Sequence, residues 1–121
     1  MGKIPKKSTK LIDKIIEAIE EKKGSEIVSL DLREIPESIC DFFIICSGDV
    51  PPHVKAIAEE IEYLVKKDLK TLTAHREGYE NLEWVILDYF DIVVHVFQKE
   101  KRDFFRLEEL WSDAKMTEHS S

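Results

Sequence analysis

Hydrophobic and polar residues follow a pronounced pattern in residues 83–98, which read EWVILDYFDIVVHVFQ. Two apolar runs rich in valine and isoleucine flank the segment DYFD (88–91), which begins and ends with an aspartate, and β-branched side chains favour strands over helices. Each run has the length of a strand and is too short for a typical buried helix. The pattern therefore predicts a hairpin with a tight acidic turn, lying at the centre of a sheet.

The alternation of side chains within this hairpin predicts which residues share a face of the sheet. Successive side chains of a strand point to opposite faces. In the first strand, Val85 and Leu87 are expected on one face and Trp84, Ile86 and Asp88 on the other. In the second strand, Ile92, Val94 and Val96 are expected on one face and Val93, His95 and Phe97 on the opposite one. Both faces are largely apolar, which is typical of a sheet covered by helices on both sides.

The remaining hydrophobic pattern predicts helices and strands in alternation. An apolar stripe at helical spacing follows Ser8, which is expected to cap the first helix. Pro51-Pro52 fits only the first turn of a helix. The predicted elements are a helix after Ser8, strands at 26–32 and 42–46, a helix from Pro51-Pro52, a weaker strand at 71–77, the hairpin, and a helix at 101–114.

This order of elements predicts the fold class and the domain organisation. It indicates an α/β fold, with a mixed central β-sheet of about five strands and helices packed on it. Residues 8–114 are expected to form a single domain, and residues 1–7 and 115–121 are expected to be flexible tails.

Composition and charge narrow the possible functions. The chain is 43% hydrophobic and 36% charged, as in a globular protein, and its net charge is −7. This charge argues against a main role in binding nucleic-acid phosphates, which calls for a basic patch. Neither a membrane-spanning run nor a signal-peptide pattern is present, so a cytoplasmic location is expected.

The cysteines and histidines do not form a recognisable reactive or metal-binding pattern. Cys40 and Cys46 are expected to be reduced thiols, because disulfides are rare in cytosolic proteins. No matching Cys/His pair is present to complete a zinc site. His95 has Asp91 as a possible partner, but strand residues four apart are separated by about 13 Å. We therefore interpret His95 as a packed, hydrogen-bonded histidine, and no cofactor is expected.

A magnesium-dependent nucleotidyltransferase is an alternative function. It would use Asp49, Asp88 and Asp91 as metal ligands. Two carboxylates on one strand reach a common metal ion when they are two residues apart, because both then lie on one face. Asp88 and Asp91 do not have this spacing, so this alternative is the weaker one.

Aromatic and acidic residues of the hairpin indicate a binding surface instead. Those expected to cluster around one end of the hairpin and the loop at Gly78 are Trp84, Tyr89, Glu77, Glu83, Asp88 and Asp91. Aromatic side chains ringed by carboxylates suit docking on a partly apolar, basic protein surface. The competing interpretation is that Trp84 belongs to the core and the acids are solvated turn residues.

Several motifs in this chain resemble one known family. They are DFFIICSG (41–48), HVKAIA (53–58), Glu77-Gly78, WVILDY (84–89), DIVVHVF (91–97) and RLEELWSDA (106–114). In order and spacing they closely resemble the Iojap/ribosomal silencing factor family, from about residue 11 to residue 114.

The resemblance implies both a fold and a function. The implied fold is related to nucleotidyltransferases but is not catalytic. The implied function is binding of the large (50S) ribosomal subunit through a ribosomal protein at the subunit interface, beside the sarcin–ricin region. This binding would block joining of the 30S subunit and repress translation under nutrient limitation; organellar relatives act in large-subunit assembly. Family members are often dimeric when free, so a homodimer is also expected.

By resemblance, a set of residues is expected to face the ribosomal partner: Trp84, Asp88, Tyr89, Asp91 and His95, together with Glu77 and Gly78. Two departures from the family pattern affect this region and the second helix. Phe90 stands where the family usually has glycine in the turn, and Val50-Pro51-Pro52 replaces small hydroxyl residues after Gly48. A phenylalanine does not readily adopt a positive φ, so the turn is expected to differ or Phe90 to add an apolar contact.

Overall fold

A computed structural model describes residues 4–119. It contains four helices and six strands within that range. The helices are α1 (Lys6–Glu21), α2 (Pro51–Leu69), α3 (Lys99–Phe105) and α4 (Leu107–Leu110). The strands are β1 (Ser25–Asp31), β2 (Phe42–Gly48), β3 (His75–Glu77), β4 (Trp84–Asp88), β5 (Ile92–Gln98) and β6 (Lys115–His119). The α/β class is confirmed.

The six strands form one mixed sheet in the order β3-β4-β5-β2-β1-β6. Strands β2 and β5 run parallel, from Phe42 opposite Ile92 to Gly48 opposite Gln98, and every other pair is antiparallel. The β4–β5 hairpin is present with the predicted turn. Its second strand lies at the centre beside β2, whereas β4 is one strand from the edge.

Hydrophobic residues cover both faces of this sheet, and the predicted alternation is confirmed. One core cluster joins α1 and α2 to Val85, Leu87, Ile92, Val94 and Val96. The other contains Val93, Phe97 and Leu107, with Trp84 and Ile86 packed against it. Helices α1 and α2 therefore cover one face, and the shorter α3–α4 segment covers the opposite face only partly.

The first helix begins earlier than Ser8, which was predicted to cap it. Pro5 occupies the cap position, with φ −56° and ψ 146°, and its carbonyl accepts a hydrogen bond from Thr9 N–H at 3.0 Å. Ser8 is a buried residue inside the helix. Helix α2 begins at Pro51-Pro52 as expected, since proline is tolerated in a first turn that has no intrahelical N–H partner.

The expected tails are wrong where the structure describes them. Lys6 and Lys7 belong to α1, while residues 1–3 and 120–121 lie outside the described residues. Residues 115–119 form β6, which pairs antiparallel with β1 from Ile27–His119 to Asp31–Lys115. The hydroxyl of Ser29 also lies 2.9 Å from His119 Nε2. The sheet has six strands rather than about five because β6 is added beside β1. It pairs with backbone N–H and C=O groups of β1 that would otherwise form an open edge.

The predicted helix over 101–114 is instead broken after Phe105. Arg106 adopts a left-handed conformation with φ 51°, which ends α3 and redirects the chain into α4. The break turns Leu107 into the core and brings the Trp111 ring edge-on to Phe43, with centroids 5.6 Å apart. In the described part of the chain, no helix is both long and apolar enough to cross a membrane.

Candidate functional site

Trp84 and His95 are joined across the hairpin on the sheet face that α3 and α4 partly cover. Trp84 begins β4 and lies opposite Phe97 of β5, while His95 lies opposite Ile86. The Trp84 indole Nε1–H donates a hydrogen bond to His95 Nδ1 at 3.0 Å. The Trp84 ring also stacks on Phe97, with centroids 4.8 Å apart. These contacts fix the orientation of a half-buried tryptophan.

His95 is a buried support for Trp84 rather than an exposed group. Its side chain is packed against Phe43, whose ring centroid lies 4.5 Å away in an edge-to-face arrangement. Burial lowers the His95 pKa to about 3. Because Nδ1 accepts the indole hydrogen bond, the neutral ring carries its proton on Nε2, which has no partner among the described residues. The interpretation of His95 as a packed, hydrogen-bonded histidine is confirmed.

Gly78 lies directly against the start of β4. Its φ is +94°, and an added Cβ would collide with the carbonyl oxygen of Trp84. Glycine adopts this conformation at low cost, and it is the only residue without a Cβ that would collide here. Gly78 therefore allows the preceding loop to pass close behind Trp84. The neighbouring residue Glu77 is exposed, and its Oε2 lies 2.9 Å from His75 Nε2.

Two phenylalanines of α3 extend the surface of Trp84. The Phe105 ring centroid lies 4.8 Å from that of Trp84, and Phe104 contacts Phe105 edge-on at 5.2 Å. Phe104 is 77% exposed and Phe105 36% exposed. We refer to Trp84, Phe104 and Phe105 as the aromatic patch. Both phenylalanines fall within the helix predicted over 101–114, and the sequence did not indicate that they are exposed.

Arg102 anchors the helix that carries these phenylalanines. Its Nη1 donates to the Glu26 carbonyl at 2.6 Å and to Ser47 Oγ at 2.9 Å, and its Nη2 donates to Glu108 Oε2 at 2.8 Å. Arg102 is buried, and its contacts connect α3 to β1, β2 and α4. Nothing in the charged run KEKR (99–102) distinguishes this arginine from a solvated one, so its role is not predictable from the sequence.

The turn residues lie at the opposite end of β4 from Trp84. Asp88 Oδ1 accepts a hydrogen bond from Phe90 N–H at 2.7 Å, which stabilises the turn. Phe90 has φ 71°, so it does adopt the positive φ, and its side chain is 76% exposed. Asp91 is exposed as well. Tyr89 is buried in the core on the α1–α2 face, and this burial raises its pKa to about 12.

The expected single cluster around one end of the hairpin is therefore wrong. Trp84 and Asp88 are four positions apart along β4, which corresponds to about 13 Å. The structure brings Trp84, His95 and Gly78 together, and it places Asp88, Tyr89 and Asp91 at the other end. Tyr89 and His95 are each only 5% exposed, so each lies beneath the exposed residues at its end of the hairpin. Residues at the two ends of β4 are separated by the length of the strand, and successive residues point to opposite faces. The predicted cluster relied on proximity in sequence and did not include these two effects.

The carboxylates of the alternative nucleotidyltransferase site are also far apart. Asp91 precedes β5 and Asp49 follows β2, and these parallel strands are in register over seven residues. The two acids consequently lie at opposite ends of the sheet, about 26 Å apart. Asp49, Asp88 and Asp91 do not converge on one metal ion. Among residues 4–119, no group of three or more histidine, cysteine or acidic side chains is arranged to hold one.

The cysteines are buried and unlinked. Burial raises the pKa of Cys40 to about 11 and that of Cys46 to about 12, so both are protonated at neutral pH. A protonated thiol is a weak nucleophile. The expectation that both are reduced thiols is confirmed, and neither contributes to the aromatic patch.

Comparison with known proteins identifies the family of this fold. The sequence profile of the family described as "Ribosomal silencing factor during starvation" matches residues 5–121. This chain belongs to the ribosomal silencing factor family. The resemblance found in the sequence motifs is thereby confirmed, and the family description connects the chain with the ribosome and with translation regulation.

Similar proteins include a bacterial ribosomal silencing factor and a mitochondrial protein. A ribosomal silencing factor of Halalkalibacterium halodurans is 39% identical over 111 residues, covering 89% of this chain and 91% of that protein. A mouse protein named for mitochondrial assembly of the ribosomal large subunit is 31% identical, covering 71% of this chain and 43% of that protein. A Chromobacterium violaceum crystal structure has a TM-score of 0.81 and 34% identity, covering 86% and 85% of the two chains.

Proposed function

We propose that this ribosomal silencing factor acts as a binding protein without catalysis of its own. In this proposal it binds the large ribosomal subunit through a ribosomal protein at the subunit interface and sterically prevents the small subunit from joining. Translation is then repressed when nutrients are limiting. Family membership supports the connection with ribosome silencing, and the location of this activity on the ribosome is consistent with a cytoplasmic protein.

The aromatic patch is the observation that carries the proposal. Large aromatic side chains held rigidly at a surface are typical binding hot spots, because little conformational entropy is lost when a partner covers them. Trp84 is held by His95 and Phe97, and Phe105 lies against Trp84. Phe104 contributes an exposed ring beside them. This patch would form the apolar centre of the interface.

Acidic residues near the patch complement a basic partner. Asp103 directly precedes Phe104, and Glu83 directly precedes Trp84; both are exposed, and Glu83 also lies 3.8 Å from Lys101 Nζ. Ribosomal proteins are commonly basic because they contact RNA phosphates. A rim of opposite charge increases the rate of association and selects the partner, while the aromatic centre supplies most of the affinity.

Cosedimentation with isolated ribosomal subunits tests the proposed function. Wild-type protein is expected to migrate with 50S but not with 30S subunits. Phe104→Ser removes an exposed ring of the patch and should weaken 50S binding by about tenfold or more, the usual effect of losing a hot spot. Ile39→Ser is the matched control, because Ile39 is 87% exposed in the β1–β2 connection, away from the patch. Failure of wild type to bind 50S would overturn the proposal.

Large-subunit assembly is a second candidate function. It is favoured by the similarity to the mouse protein, whose name refers to assembly of the mitochondrial ribosomal large subunit. Both functions would use the same surface and would differ in the stage at which the protein binds. Accumulation of large-subunit precursors after depletion would favour assembly, whereas normal precursor levels with excess joined ribosomes in starved cells would favour silencing.

A homodimer of the free protein remains a further proposal. The aromatic patch is apolar enough to form a self-contact, and such a dimer would then compete with ribosome binding. Sedimentation velocity over a range of concentrations, with Phe104→Ser beside wild type, distinguishes the two states. A monomer at all concentrations would exclude self-association through this surface.

A further inference from the structure

A continuous grooved surface lies at the hairpin-turn end of the sheet, away from the aromatic patch. One groove, of about 540 Å³, is lined by the first turns of α1, the end of α2 and the turn at Phe90. A second, of about 640 Å³, is lined by α2 and residues 72–76. Leu72 is 68% exposed and lines both grooves. We refer to the two grooves together as the turn-end surface.

The turn-end surface is basic although the chain as a whole is acidic. Its lining contains five cationic side chains and three carboxylates, whereas the chain carries a net charge of −7. The cationic residues are Lys7, Lys10, Lys66, Lys70 and Arg76. The first two come from α1 and the next two from the end of α2, so the fold brings together charges that are distant in sequence. This local concentration of positive charge is not evident from the overall composition of the chain.

Two of the three carboxylates are already bound by neighbouring donors. Glu62 accepts hydrogen bonds from Thr73 Oγ1 at 2.7 Å and from Tyr79 OH at 2.6 Å, and it pairs with Arg76. Asp68 forms an ion pair with Lys14 at 2.8 Å. Asp91 is the remaining acid of the lining. By contrast, Lys7, Lys10 and Lys66 are exposed and form no ion pair within residues 4–119.

Phe90 presents an aromatic ring at this surface from a strained backbone. Phenylalanine rarely adopts a φ of +71°, and the Asp88 side chain holds the residue there through its 2.7 Å hydrogen bond. The ring is 76% exposed, so core packing does not account for it. Strained residues that do not serve packing are typical of binding sites.

We propose that the turn-end surface binds a single-stranded segment of RNA. The lysine amines would contact successive phosphates, and Phe90 would stack on an unpaired base. Proteins that bind single strands combine these same two elements, a cationic groove and an exposed aromatic ring. A nucleotide supplies both a negative charge and a flat ring, whereas an acidic peptide supplies the charge alone. The proposal adds a second contact surface and does not depend on docking through the aromatic patch.

Fluorescence anisotropy with a labelled RNA of mixed sequence tests this proposal on the full chain. A strand of about twelve nucleotides falls within the usual range of site sizes. The double variant Lys10→Glu/Lys70→Glu is expected to weaken binding by roughly tenfold or more, and to reduce the salt dependence by a slope of about 0.7 for each lost phosphate contact. The matched control is Lys55→Glu/Lys99→Glu, which makes the same charge change at exposed lysines outside both grooves. It should retain most of the affinity.

Two single substitutions separate the aromatic and electrostatic contributions. Phe90→Ala should weaken RNA binding by about fivefold or more through loss of stacking. Asp91→Asn should strengthen RNA binding, because it removes a negative charge from the groove. If Asp91 also faces the ribosomal partner, the same variant should weaken 50S binding. The two proposals therefore predict opposite changes in affinity, an increase for RNA and a decrease for 50S subunits. Circular dichroism confirms that each variant is folded.

Several results would overturn the RNA proposal. One is absence of RNA binding by wild type at low salt, and another is an equal loss in the two double variants. Competition by polyglutamate at the same charge concentration as effectively as by unlabelled RNA would assign the surface to an acidic polypeptide instead. None of these results depends on ribosomal subunits, so the proposed silencing function is tested separately.

Discussion

The indole of Trp84 donates to Nδ1 of His95 across the β4–β5 hairpin, at 3.0 Å. This bond requires a neutral imidazole, because a protonated ring would present an N–H to the indole N–H. Burial against Phe43 and Phe97 disfavours the charged ring and maintains the required state. The orientation of the most central residue of the aromatic patch is thus tied to the protonation of a buried histidine.

The first prediction concerns the dependence of stability on pH. The His95 pKa is lowered from 6.5 to about 3 in the folded state, so the unfolded state binds more protons between these values. Stability contributed by His95 is present above pH 6.5 and is lost as pH falls, by about 1 kcal/mol per pH unit. Urea denaturation between pH 7 and 5 should detect this slope. His95→Gln, which can accept the indole hydrogen bond but does not titrate, should have a smaller slope; an unchanged slope would contradict the assignment.

The second prediction is energetic coupling between Trp84 and His95. Trp84→Phe leaves the buried Nδ1 of His95 without its donor and should lower the free energy of unfolding by about 1–3 kcal/mol. Combining it with His95→Phe removes both polar partners, so the double variant should be less destabilised than the sum of the single variants, by about 1 kcal/mol. Denaturation of the four proteins measures this cycle. Additive effects would mean that the hydrogen bond contributes nothing to stability.

The elements of this fold were largely predictable from hydrophobic periodicity, but their ends and long-range contacts were not. Alternation in 83–98 placed Val94 and His95 on opposite faces correctly, since burial imposes a period of two. The strand at 115–119 could not be foreseen, because its residues are mostly exposed and become ordered through pairing with β1. Arg102 was missed because its partners Glu26 and Ser47 are distant from it in sequence, and Phe104 because a predicted helix does not reveal which of its apolar residues stays exposed.

The third prediction concerns Arg102, which anchors α3. Arg102→Met retains much of the side-chain volume but removes the hydrogen bonds to Glu26, Ser47 and Glu108. Because Glu108 is partly exposed and can be rehydrated, the expected loss is about 2–3 kcal/mol, below the usual cost of breaking a fully buried ion pair. Release of α3 should also expose Trp84 and shift its fluorescence to longer wavelength. Lys99→Met, at an exposed position of the same helix, is the control and should change neither quantity.

The fourth prediction concerns the strained turn. Phe90→Gly relieves a positive φ of 71° and removes a ring that is 76% exposed, so it should stabilise the fold by about 1 kcal/mol or leave it unchanged. Thermal unfolding measures the change. If Phe90 is retained for binding, the more stable variant should bind RNA less well. A clear loss of stability would show instead that the ring packs against the turn end.

Inhibition of subunit joining tests the central claim most directly. Purified 50S subunits are incubated with the protein, 30S subunits are added, and formation of 70S ribosomes is followed by light scattering. Wild type and Ile39→Ser should reduce the extent of joining in proportion to the fraction of 50S bound, whereas Phe104→Ser should require about tenfold more protein for the same effect. Unchanged joining at saturating wild-type protein, with 50S binding verified in the same samples, would contradict the account.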